Sequence, residues 1–100
     1  MNDYLLLMHD DAPDRQSSTD GDIWDAYFAK LSQTGCLQGG SSIGEGLCLS
    51  KSNSVPDITR HLSGYIKIQA NSLSHAQELV IGNPVFEAGG TVEIRELPKD

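Results

Sequence analysis

Basic residues are scarce in this chain: seven Lys and Arg stand against fourteen Asp and Glu, a net charge of −7. Proteins that hold nucleic acid neutralise its phosphates with clustered Lys and Arg, and no such cluster is present. Nucleic acid and anionic membrane surfaces are therefore not expected partners. Cysteine is scarce as well. Cys36 and Cys48 stand alone without a CxxC spacing, so free thiols in a reducing compartment are expected rather than a disulfide. Long apolar runs are missing: no segment approaches the roughly 20 residues of a membrane span. The opening Met1–Met8 lacks the basic n-region of a signal peptide, so the chain is expected in the cytoplasm. No lysine directly follows the glycine-rich stretch 39–46 and no helix start stands behind it, so a phosphate cradle is not expected.

What is present fits a single domain spanning residues 1–100. A chain of this size buries only about two thirds of its unfolded surface, so its core is modest. Tyr4–Met8 is apolar throughout, the mark of a strand covered on both faces. A polar loop, His9–Gly21, follows. Asp22 is the expected N-cap of a helix carrying Ile23, Trp24, Tyr27, Phe28 and Leu31 on one stripe, stopped by Gly35. Leu37 and Leu47–Leu49 read as strand pieces, with glycines between them that suggest a bulge. Ser50–Pro56 is hydrophilic loop, and Asp57–Leu62 reads as a helical turn or irregular chain.

Gly64–Ala70 alternates as a strand, with Ile66 and Ile68 on one face and Tyr65 and Lys67 on the other. Ser72 caps a second helix over Leu73–Ile81, with Leu73, Ala76, Leu79 and Val80 facing in, and Asn83-Pro84 ends it. Val92 and Ile94 alternate in a last strand after Gly90. The order β-α-β-β-α-β implies an α+β, ferredoxin-like domain: a four-stranded antiparallel sheet with two helices on one face. The bare face would show Leu5 or Leu6 beside Tyr65 and Lys67, a patch that a second copy would cover as a homodimer.

Tyr4-Leu5-Leu6-Leu7-Met8, Gly35-Cys36-Leu37-Gln38-Gly39-Gly40, Gly64-Tyr65-Ile66-Lys67-Ile68, Ser72-Leu73 with Ala76, Asn83-Pro84 and Gly90-Thr91-Val92-Glu93-Ile94-Arg95 resemble successive segments of the YCII-related (DGPF-domain) family. The resemblance implies a dimeric α+β barrel in a bacterial cytoplasmic protein. It also implies enzymatic activity in some members, a dehydrochlorinase among them, with a His–Asp pair as acid and base. The Asp-Gly-Pro-Phe signature is absent, and Asn53-Ser54-Val55-Pro56-Asp57-Ile58 stands in its place.

His9 is the candidate catalytic group, because imidazole titrates near neutral pH, and Asp10 or Asp11 is the expected orienting carboxylate. Against this stands a histidine in a solvated acidic loop. The spacing of His9, Asp10, Asp11 and Asp14 matches no metal-ligand loop, so no metal is expected, nor any cofactor. Trp24 is a candidate wall for a planar ligand, and Gly40 for close approach of a ligand to backbone. Arg60 and His61 are candidates for an anionic substrate group, and Tyr65 for a further contact. His75 reads as surface and Cys48 as a small apolar filler. Two functions stay open: a small cofactor-independent enzyme acting on a small organic molecule, and a non-catalytic binding or regulatory dimer.

Overall fold

Tyr4, Leu6 and Met8 alternate with Leu5 and Leu7 along β1 (Asn2–His9), and the first three are buried while the other two are half-buried. The computed structural model describes residues 1–99. β1 pairs antiparallel with β3 (Leu62–Ala70) along one edge and with β4 (Val92–Leu97) along the other. β2 (Leu37–Ser42) joins the far edge of β3, giving the order β2-β3-β1-β4. This is the expected ferredoxin-like α+β sheet, with β1 and β3 in the centre.

The core lies between one face of the sheet and the helices. Leu6 is 0% exposed, set between Ile66 and Ile94 on its two neighbouring strands. Tyr27 and Leu31 of α2 (Gly21–Gln33) and Ala76 and Val80 of α3 (Leu73–Val80) complete it. Two one-turn helices are added to the expected elements: α1 (Arg15–Ser18) lies inside the expected loop, and α4 (Pro84–Glu87) begins at the Asn83-Pro84 stop, where no element is expected. Both are too short to show periodicity, and each is held by its cap. The Asp14 carboxylate accepts from the Ser17 N–H at 3.1 Å. Fully buried Asn83 accepts from the Val85 and Phe86 N–H groups at 2.9 and 3.2 Å.

Several local expectations are corrected. The N-cap of α2 is Asp20, not Asp22: Asp20 keeps extended backbone, and its carboxylate accepts from the N–H groups of Asp22 and Ile23. Ile23, expected in the core, is 40% exposed, because it stands roughly a quarter turn from the centre of the stripe formed by Trp24, Tyr27, Phe28 and Leu31. Leu73 is exposed in the first turn of α3, and the packed part of that stripe runs from Ala76 to Val80. No strand forms at Leu47–Leu49, where Leu47 and Leu49 are 74% and 90% exposed. Pairing with β3 stops at Ser42, and Gly44 and Gly46 weaken any continuation of the strand, having no side chain to pack and more backbone freedom to lose.

The expected bulge is present in β2, between Leu37 and Gly39. The next residue has a steric duty. A Cβ on Gly40 would fall 2.6 Å from the Tyr65 carbonyl oxygen, so only glycine lets β2 lie this close to β3. Among the described residues, no helix is long and apolar enough to cross a membrane.

Leu6→Ala removes a side chain packed from both strands and is expected to cost about 3 kcal/mol. Ile23→Ala, on the exposed flank of α2, should cost no more than about 0.5 kcal/mol. Urea unfolding of the two variants measures the contrast, and equal losses would contradict this placement of the core.

Candidate functional site

A cavity of about 460 Å³ opens where β1 ends. Its volume lies within the range of small-molecule sites. Trp24 and Phe28 of α2 form an aromatic wall, with ring centroids 5.5 Å apart and planes inclined by 28°. Met8, Ile66 and Val85 add apolar surface, while Ser18, Thr19, Ser41, Ser42 and Ser63 bring hydroxyls. Trp24 is fixed in place: its indole N–H donates to the Ser18 carbonyl at 2.8 Å, and its ring meets Tyr27 edge-on at 6.1 Å. Tyr27 is itself anchored by donating to the Leu79 carbonyl at 2.7 Å, and burial pushes its phenol above the usual tyrosine range.

His9 stands at the rim, on the last position of β1, after a shift of register between Met8 and His9. Its Nε2 lies 3.0 Å from Glu93 Oε1, and Arg95 donates to Glu93 Oε2 at 3.1 Å. The His9 side chain is 20% exposed and that of Glu93 35%. His61 lies edge-on to His9 with ring centroids 4.9 Å apart. The bond to His9 foremost, and then the one from Arg95, holds the Glu93 carboxyl below the usual carboxylate range. With Glu93 ionised, the proton belongs on Nε2, which leaves Nδ1 as the basic nitrogen.

The expected partners of His9 are therefore replaced. Asp10 pairs with the Arg15 guanidinium, which also donates to the Asp10 carbonyl. Asp11 accepts from the N–H of Thr91 at 2.9 Å and from its hydroxyl at 2.7 Å, bonds that hold its carboxyl below the usual range. The strand ends at His9 and the chain bends at Asp10, and these partners hold both carboxylates away from hydrogen-bonding distance of the imidazole. Glu93 reaches it from the adjacent strand, where it lies opposite Leu7 on the same face of the sheet as His9.

Of the other candidates, Trp24, Gly40 and Tyr65 line the cavity. Arg60 does not: it is exposed and lies 3.9 Å from Glu45. His61 contacts the His9 ring without lining the cavity. Glu93, Arg15 and Phe28 join the site unforeseen. The alternation of Thr91, Glu93 and Arg95 sets Glu93 on the face away from the helices, but only the β1–β4 register brings it to His9. Cys36 and Cys48 are both free. Among the described residues, no three of His, Cys, Asp and Glu gather as ligands for a metal ion.

No family model matches this chain, and no curated protein matches it. Among solved structures it is similar to 5-chloro-2-hydroxyhydroquinone dehydrochlorinase from Burkholderia phenoliruptrix, in complex with 2,5-dihydroxybenzoquinone, with a TM-score of 0.59. The match covers 98% of this chain and 95% of that one at 17% identity, and at that identity it shows the fold.

Asp11, Asp14 and Glu93 all have carboxyls held below their ordinary values in the folded chain. Their contribution to stability is full above the unfolded values of roughly 4 and is lost as pH falls through the folded ones. Stability should therefore hold steady near neutral pH and fall below about pH 4. Thr91→Val removes the hydroxyl bond to Asp11 and should raise the Asp11 pKa. Carboxyl NMR titration, together with urea unfolding across pH, reads both effects.

Proposed function

We propose that the cavity takes a small planar organic molecule and that His9, oriented by Glu93, moves a proton at its rim. The observation that carries this reading is the imidazole–carboxylate pair set beside an aromatic-walled cavity. Nδ1 accepts a proton from a hydroxyl or carbon of the substrate. The electron pair left behind moves into the substrate, and an anion departs in the elimination case. Glu93 stabilises the imidazolium until its proton returns to water. No cofactor takes part. The fold shared with a dehydrochlorinase that binds a dihydroxybenzoquinone supports this class of ligand.

A second reading, a binding or regulatory module without catalysis, has one observation in its favour. The Trp24–Phe28 wall belongs to the helix side, whereas Glu93 lies on the opposite face of the sheet and is not among the lining residues. The cavity is thus formed without the carboxylate.

Calorimetry with 2,5-dihydroxybenzoquinone, and turnover of 5-chloro-2-hydroxyhydroquinone, separate the two readings. Binding weakened about tenfold or more by Trp24→Ala is expected for either. Turnover lowered about a hundredfold or more by His9→Asn, and also lowered by Glu93→Gln, marks the enzyme. Binding without turnover marks the module, and absence of both contradicts the site.

The YCII-related reading brings with it a bacterial cytoplasmic protein and a homodimeric α+β barrel. Support for the dimer comes from the helix-free face, where Leu5 lies between Lys67 and Arg95, and Leu7 between Tyr65 and Glu93. Such mixed apolar and charged rows suit a second copy of the same surface. Light scattering at micromolar concentration should give twice the 10.8 kDa chain mass, and Leu7→Glu should return it to one chain. A monomeric wild type would refute the dimer.

A further inference from the structure

Residues 43–61 are tied to the rest of the chain by hydrogen bonds at their two ends and nowhere between, though Cys48 and Ile58 are half-buried. At one end the Ile43 N–H donates to the Ser63 carbonyl at 3.1 Å, and at the other the His61 carbonyl accepts from the Asp10 N–H at 2.6 Å. Among the described residues, no hydrogen bond joins 44–60 to the rest of the chain. The bonds inside the segment link Ser50, Ser52 and Ser54 to one another. Its ion pair, Arg60 with Glu45, is internal and exposed, and such pairs contribute little.

Two further observations show where this segment belongs. Its stems form the cavity wall: Gly40, Ser41 and Ser42 lead into it, and Ser63, Gly64 and Tyr65 follow it. Three of its apolar side chains, Leu47, Leu49 and Val55, stand in solvent, while the half-buried Trp24 and Phe28 line the cavity between the same stems. Leu47 is five residues beyond Ser42, roughly 16 Å of extended chain, which is enough to cross an opening of this size. Long segments with few anchoring bonds sit at the low-stability end of a structure, and those beside a cavity commonly serve as lids.

We propose that residues 43–61 are a lid that folds over the cavity and seats Leu47 and Leu49 against Trp24 and Phe28. Closure takes Leu47 and Leu49 out of water, covers what Trp24 and Phe28 still expose, and excludes water from a ligand beneath them. The lid rests on reading the cavity as a ligand site, but its motion is testable without any ligand.

Cys48 lies between the two leucines, and Cys36 is buried, so the chain carries its own trap. Thr19→Cys adds an exposed thiol at the cavity rim, and Glu78→Cys on α3 serves as a control away from it. Under mild oxidation of the Thr19→Cys variant, a link within one chain between the introduced thiol and Cys48 should form about tenfold faster than the control link. Trp24 is the sole tryptophan, and its emission should move to shorter wavelength on linking. Mass spectrometry of unreduced peptides identifies the links. Equal rates in the two variants would overturn the lid, as would an unlinked rim thiol while Cys48 still reacts with a small thiol reagent. A link found only between two chains would also overturn it, assigning the segment to a second copy. Because no ligand is added, failure here is distinct from failure of the calorimetry.

Discussion

The pairing of β1 along both edges, up to and past its last residue, is the constraint on which the site depends. The His9 N–H donates to Thr91 ahead of β4, and the Asp10 N–H donates to His61 ahead of β3. Asp11 then grips Thr91 twice more with its carboxylate. These bonds tie the exit of the central strand to the entries of both neighbours. They set His9 within reach of Glu93, and they fix Met8 as part of the cavity wall. Loosening Thr91 would free the catalytic candidate and the cavity rim together.

The same arrangement explains what was legible in the residues. Strand and helix periods are local, so Ile66 and Ile68 against Tyr65 and Lys67, and the stripe from Trp24 to Leu31, give the element order and thereby the sheet. Glu93 was not legible as the partner of His9, because 84 residues separate them and only strand register joins them. Asp10 and Asp11 are nearer in sequence, yet the chain bends after His9 and their carboxylates go to Arg15 and Thr91. Trp24, Gly40 and Tyr65 are candidates by residue type and place in the chain, and each lines the cavity. Arg60 and His61 are candidates by charge, which says nothing of direction, and they lie outside it.

Charge is distributed with economy in a chain so poor in cations. Arg15 is committed to Asp10 and Arg95 to Glu93, so each basic group near the site is matched within five residues. The cavity therefore offers aromatic surface and hydroxyls rather than net positive charge, which suits a neutral or weakly acidic ring better than a phosphate.

Gly40 has a consequence beyond its close fit to β3. It gives one point of the cavity wall as bare main chain, and a Cβ there would stand 2.6 Å from the Tyr65 carbonyl oxygen, which bars every side chain from that position. Descendants of this sequence cannot place a side chain at this point of the wall without parting the two strands. Divergence in what the cavity accepts is thus channelled to the neighbouring positions, to Ser41, Ser42 and Ser63 on the sheet and to Trp24 and Phe28 on the helix.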